Sequence, residues 1–284
     1  MTTTASAGET LGPSVLAVAN RKGGTGKTTT AVNLAAAFAA AGKRTLLIDL
    51  DTQGHCAFGL GLQPTPGQLS AHHLFAEAPP TLTELCCSTA WDGLDLVPAS
   101  TDFRHGRIRD DDQILARALA EPAITERYDQ ILIDSPPSLD HLLFNALSAA
   151  HWAIIPFVPH PLAGEGVKQL SRVFFQVALR TNTRLRLLGV LPVMLDTRIG
   201  QHRLIRTQVA GQFGEQRVLG GIRNDIKLAE AFAAGQPVRV YAPRSRGQQD
   251  YQQAFEAIAA CLRNPSIACP RDGRSTRPQQ ASEQ

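Results

Sequence analysis

Residues 15–30, VLAVANRKGGTGKTTT, leave few folds open to this chain. A short apolar run enters a turn with three glycines in four positions. The chain then continues into an alanine-rich segment that stops before Gly42, the pattern of a buried strand, a tight loop and a helix opening at Lys27 or Thr28. Gly23, Gly24 and Gly26 allow the backbone to curl with its amides pointing inward. The helix amino terminus adds partial positive charge beside them. Such a loop, with Thr25 between its glycines and Thr29 following, cradles phosphate. Lys27 would reach the β- and γ-phosphates and the Thr28 hydroxyl would ligate Mg²⁺. The usual pattern G-x-x-x-x-G-K-[ST] is not met in full. Its first glycine is replaced by Arg21, and a second lysine, Lys22, precedes the glycine pair.

Apolar runs at 15–19, 45–49, 94–97, 130–134, 152–157 and 187–194 are rich in Val, Ile and Leu without strict alternation, which suits strands buried on both faces. Helical patterns at 28–41, 111–119, 139–150, 166–180, 201–213, 227–234 and 250–263 fall between or after them. The reading is α/β, a mostly parallel twisted sheet with helices on both faces. One domain over 14–263 accounts for most of the 284 residues. Residues 1–13 read as a flexible amino terminus, 63–80 as an irregular connection and 264–284 as a polar, disordered tail. No apolar run reaches membrane-spanning length and no secretory leader is visible. Five cysteines without a C-x-x-C pair suggest neither a disulfide framework nor a zinc site. The expected location is therefore cytoplasmic. The net charge of +3 is uneven: 13 basic residues face 17 acidic ones over 1–183, and 15 face 8 over 184–284. A basic final third can meet a polyanion or simply decorate solvated helices.

The segment KGGTGKT resembles the deviant Walker A loop of the ParA/MinD family of ATPases, within the larger class that includes the nitrogenase iron protein. The resemblance implies ATP and Mg²⁺ as cofactors and a homodimer with nucleotide sandwiched at its interface. Lys22 is then the family's signature lysine, reaching the partner's ATP. LLIDLDTQGH (46–55) resembles the family's D-x-D-P-Q-G segment. Asp51 matches the carboxylate that places the attacking water, and Asp49 the one nearer the metal. Thr52 replaces the common proline, so the turn loses a ring constraint. ILIDSPPSLDHLLFNAL (131–147) resembles the Walker B region, with Asp134 the magnesium-holding carboxylate. The later Ile155-Pro156 and Glu165-Gly166 also fit, while His151 stands where aspartate is common. IRNDIKLAEAFAAGQPVRVYAPRSRGQQDY (222–251) resembles the ParA branch. Lys227 falls where that branch carries a residue for non-specific DNA binding, Asn224 replaces its usual arginine with Arg223 one step earlier, and Pro243 matches the segment bordering adenine.

By resemblance the chain is a weak, partner-stimulated ATP hydrolase that positions or segregates a plasmid, a chromosome origin or a protein assembly. It would associate with the nucleoid and respond to a ParB-like or other cargo adaptor. Arg203, Arg206, Arg223 and Lys227 are the DNA-contact candidates. About 14 residues precede the first strand, so no amino-terminal helix-turn-helix domain is expected. A MinD-like protein would carry a basic amphipathic carboxy-terminal helix for membrane, and the tail RDGRSTRPQQASEQ has no apolar face. An iron protein would need cluster cysteines, and Ser135 follows the Walker B aspartate. A metabolic ligase on the same fold would instead show substrate-dependent turnover without a DNA response.

Overall fold

The computed structural model describes residues 12–63, 65, 67–101, 111–161 and 163–264, with 163–168 by backbone alone. The expectations for most of the amino terminus and for the tail, and the Glu165 side chain, lie outside the described residues. Seven strands form one sheet: β1 (Ser14–Val18), β2 (Thr45–Asp49), β3 (Cys87–Ser88), β4 (Leu94–Val97), β5 (Gln130–Asp134), β6 (Trp152–Phe157) and β7 (Arg186–Pro192). Their order is β3-β4-β2-β5-β1-β6-β7, with every neighbouring pair parallel except β3 with β4. The six expected strands are all present, most within a residue of the predicted ends.

Successive side chains of a strand point to opposite faces, and both faces of this sheet are covered. Val15, Ala17, Ile131 and Ile133 pack into one core with α4 (Ile114–Leu119), α6 (His141–Ala149) and α7 (Ala163–Arg180). Leu16, Val18, Leu47 and Leu132 pack into the other with α1 (Lys27–Ala40), α2 (His55–Gly59) and α11 (Arg246–Arg263). The small helices α3 (Leu82–Leu85) and α5 (Pro122–Thr125), then α8 (Gly200–Phe213), α9 (Ile226–Ala233) and α10 (Val238–Tyr241), complete the layers. No helix among the described residues is long and apolar enough to cross a membrane.

Helix starts follow side chains that accept the free amides of a first turn. Asp140 accepts from Leu142 and Leu143 at the start of α6, and Asp225 from Lys227 at α9. Ser245 accepts from Gln248 and opens α11 four residues earlier than the pattern 250–263 suggests. The stretch expected to be irregular, 63–80, contains a buried 3₁₀ turn, Ala71–Phe75, fixed by reciprocal bonds between Ser70 and His73. His72 inside it is buried. Its Nδ1 accepts the Ser100 amide at 3.0 Å and its Nε2 lies 3.3 Å from the Leu50 carbonyl.

His151 ties two strands together. Its Nδ1 accepts the Val15 amide at 3.1 Å, and its own amide donates to the Val15 carbonyl at 2.9 Å, joining the entry of β6 to β1. Burial, helped by the charge of Arg184, lowers the His151 pKa below 6.5. A depressed histidine pKa means the unfolded chain binds the proton more readily, so stability falls as pH drops below about 6.5 through the folded value. The expected loss is on the order of 1 kcal/mol, one hydrogen bond. Urea titrations between pH 7.5 and 5 should show this slope in the wild type and a smaller one in His151→Gln.

Candidate functional site

Register brings the site together. Val18 pairs with Asp134 and Asp134 with Asp49, so the exits of β1, β5 and β2 stand level at the carboxyl edge of the sheet. The glycine loop leaves β1 at this edge. Asn20 anchors it, donating to the Pro156 carbonyl at 2.7 Å and accepting the Lys22 amide at 3.0 Å. The buried Thr25 hydroxyl donates to the Lys22 carbonyl at 3.1 Å. Gly24 and Gly26 both adopt positive φ, 71° and 70°, which a side chain would strain. Gly26 is the residue before α1, and Lys27 opens the helix.

The two lysines of the loop sit in opposite environments. Lys27 is buried, 6% exposed, and no carboxylate among the described residues forms an ion pair with it. Lys22 is exposed, and its ammonium is likewise unpaired among the described residues. A buried ammonium with no ion pair, at the start of a helix that follows a glycine loop, is suited to an anion. Arg21 turns away from the loop and donates to Gln169 of α7 at 3.0 Å. Thr28 and Thr29 are half-buried on the first turn of α1.

Asp49 and Asp134 are fully buried. Burial first, then the Asp134 charge, raises the Asp49 carboxyl well above the usual range, while the amides of Cys56 and Asp51 pull it back. Asp134 is raised by burial as well, opposed by the Thr28 hydroxyl and the Lys27 charge. Its Oδ1 is buried without a hydrogen-bond partner among the described residues. A buried orphan carboxylate oxygen beside Thr28 and the loop fits a magnesium ion, directly or through water. Asp51 is half-buried one step beyond. Its amide donates to Asp49 Oδ1 at 3.0 Å, its own Oδ1 accepts the Gln53 amide at 3.1 Å, and its carbonyl accepts from Gly54 at 2.9 Å. These bonds fix the turn that lacks its proline.

A cavity of about 370 Å³ opens beside Gly26 and Thr29, walled by Val193, Met194, Asn224 and Leu228 among others. Met194 there has φ 51°, a left-handed conformation rare outside glycine. Pro243 is exposed and does not line this cavity. Three of the four DNA-contact candidates lie on α8 and α9, and Arg223 lies just before α9 in a lone bridge to Leu195. Arg203 and Arg206 are on α8, where Arg203 donates to the Thr197 carbonyl and Arg206 pairs with Glu215 at 2.7 Å. Lys227 on α9 pairs with Glu230 at 2.6 Å. Arg223 makes a two-pronged pair with Asp250 of α11, at 2.7 Å and 3.0 Å, and its amide donates to the same carboxylate. Asp250 is 5% exposed, so this arginine holds a buried charge. Asn20, His72, Cys56 and Asp250 carry no sequence signal as parts of the site and its supports, because their roles arise from contacts across 7 to 136 positions.

Comparisons with known proteins agree with this geometry. Residues 13–187 match the family model of an AAA domain. The chromosome-partitioning ATPase Soj of Thermus thermophilus is 39% identical over 86% of this chain and 95% of its own. The chromosome partitioning protein ParA of Caulobacter vibrioides is 37% identical over 84% and 90%. Among solved structures, the cobyrinic acid a,c-diamide synthase of Mycobacterium smegmatis with bound ADP and magnesium is 32% identical, covering 89% of this chain and 96% of its own at a TM-score of 0.71. MinD of Pyrococcus horikoshii with Mg-ADP shares the fold at a TM-score of 0.73 and 22% identity, covering 90% and 99%. Loop, strand-end carboxylates and sheet order together define a P-loop ATP hydrolase using ATP and Mg²⁺. The chain belongs to the ParA/MinD family, the branch of that class with a deviant Walker A loop.

Like charges packed at one dry corner oppose folding when no cation is bound. In EDTA at neutral pH, Asp134→Asn should therefore raise the thermal midpoint by about 2–4 °C, the equivalent of roughly 1 kcal/mol. The same variant should bind Mg²⁺-nucleotide at least tenfold more weakly. Differential scanning calorimetry and nucleotide titration check the two halves.

Proposed function

We propose that this ATPase works as an ATP-dependent dimer that holds DNA without reading sequence and positions a cargo through an adaptor that stimulates hydrolysis. The observation that carries the reading is the split between the loop's lysines. Lys27 is buried at the start of α1, where it would serve its own triphosphate, while Lys22 is exposed and unpaired among the described residues, placed to serve a second subunit. A cation supplied in trans stabilises charge on the transferring phosphoryl group. Gly23, Gly24, Thr25 and Gly26 wrap the phosphates, and Thr29 and the cavity beside Gly26 receive the nucleoside. Thr28, Asp134 and Asp49 would hold magnesium, which when bound would neutralise phosphate charge. Asp51 orients water for attack. Pro243 stays assigned to the edge of the base through resemblance alone.

For DNA, ion-pair energetics separate the candidates. Exposed pairs such as Lys227 with Glu230 contribute little, so these cations can be handed to phosphates. Removing Arg223 would instead leave the buried Asp250 carboxylate without its partner, a larger cost. Arg223 therefore supports the surface, and Lys227, Arg203 and Arg206 supply contacts. The Soj and ParA relatives are named for chromosome partitioning, and this chain is proposed to act likewise on the nucleoid with a ParB-like partner. The name of the Mycobacterium smegmatis relative favours a second reading, an amide-forming synthase driven by ATP. That reading predicts turnover that rises with a carboxylate substrate and ignores duplex DNA.

Lys22→Gln should bind ATP but lose ATP-dependent dimerisation in analytical ultracentrifugation, with turnover lowered at least tenfold; normal dimers would remove the role in trans. Lys227→Glu should dimerise normally and lose most binding to random duplex at low salt in a mobility-shift assay. Unchanged binding would take α9 off the DNA surface.

A further inference from the structure

Cys56, on the first turn of α2, is fully buried, and its Sγ lies 3.5 Å from Asp134 Oδ2. Its amide donates to Asp49 Oδ2 at 3.0 Å. One ligand atom from each of Asp49, Cys56 and Asp134 lies within 4.8 Å of the others, and all three residues are buried. Magnesium has little use for the sulfur, since it takes hard oxygen ligands. A tetrahedral zinc ion does, with Zn–S at about 2.3 Å and Zn–O at about 2.0 Å, giving an S···O edge of about 3.5 Å. That edge equals the Cys56–Asp134 separation.

Other features agree. Asp134 Oδ1 is buried with no partner among the described residues, so acceptor capacity remains at the cluster. Asp49 is oriented by two backbone amides, the kind of outer support that ligating carboxylates receive in metal sites. Three protein donors would leave a fourth tetrahedral position for water or a phosphate oxygen. The softness of the sulfur, deprotonated as metal binds, then selects the metal.

We propose that Asp49, Cys56 and Asp134 form a binding site for a thiophilic divalent cation of the Zn²⁺ or Cd²⁺ type, which excludes magnesium and holds the ATPase off. Binding releases the thiol proton to solvent as the metal–sulfur bond forms. The site shares two carboxylates with the magnesium set of the proposed function, so its test uses no nucleotide.

The reduced full-length chain, free of nucleotide, is titrated with Cd²⁺ while thiolate-to-cadmium charge-transfer absorption is followed. Saturation at one equivalent is expected, with the band lost in both Cys56→Ala and Cys56→Ser. It should persist in a chain with Cys86, Cys87, Cys261 and Cys269 all changed to serine. Asp134→Asn should weaken Cd²⁺ binding at least tenfold. Melting curves confirm that each variant is folded, and the alanine variant serves if the serine variant is not. A band that survives in a folded Cys56 variant, or the absence of any saturable band, overturns the site. With magnesium and ATP added, Zn²⁺ should inhibit the wild type at concentrations at least tenfold below those that inhibit Cys56→Ala, and equal sensitivity overturns the exclusion of magnesium. A chain that binds Cd²⁺ as stated but shows no ATP-dependent dimer would sink the proposed function and leave this site standing.

Discussion

The pairing of Asp49 with Asp134 across adjacent parallel strands is the constraint on which the rest of this site depends. A one-residue slip between β2 and β5 would turn one of these carboxylates to the other face. It would also exchange Ile48 and Ile133 of one core for Leu47 and Leu132 of the other. Core burial therefore enforces the placement of the charges. Both faces of the sheet are sealed by apolar side chains, so the carboxylates cannot relax into solvent. They are held up by what surrounds them: two amides on Asp49, and the Thr28 hydroxyl and Lys27 charge near Asp134. Strain of this kind is stored where a cation is to bind.

The same strand edge explains why one short loop gives its two lysines different surroundings. Positive φ at Gly24 and Gly26 reverses the chain and directs it into α1. Lys27 is thereby the first residue of a helix packed on the sheet, under the loop. Lys22 precedes the reversal, on the outer limb that Asn20 and Thr25 brace from behind. Among the described residues no bond draws the Lys22 side chain inward. Arg21, next to it, is drawn toward α7 by Gln169.

Much of this was legible in the sequence, for physical reasons that differ by element. Strands β1, β2, β4, β5 and β6 are buried on both faces, so their composition announces them, and the phosphate loop is contiguous. Short elements were not legible. His55–Gly59, Ala71–Phe75, Leu82–Leu85 and Val238–Tyr241 are each a turn or so long and depend on tertiary contacts rather than periodicity. The 3₁₀ turn matters most, since it puts buried His72 against the peptide between Asp49 and Asp51. The basic final third was visible as charge, but charge cannot say which cations are committed. Arg223 reads as a surface arginine until Asp250, 27 positions away, is found folded beneath it.

That commitment bears on how nucleotide and DNA sites would communicate in the reading proposed above. Asp225 caps α9 and also accepts the Gly247 amide at 2.8 Å, while Arg223 grips Asp250, so the approach to α9 is riveted to α11 from two sides. The cavity beside Gly26 and Thr29 has Asn224, Asp225 and Leu228 in its wall. A nucleoside filling it touches the beginning of the helix that carries Lys227. A ligand shifts an equilibrium only by contacts that differ between two states. In that reading the cavity wall supplies the contacts on the nucleotide side, and the paired side chains would carry a displacement of α9 into α11. Arg223 thus has more weight as a strut between these helices than as one more phosphate contact, since a strut must stay paired in order to transmit.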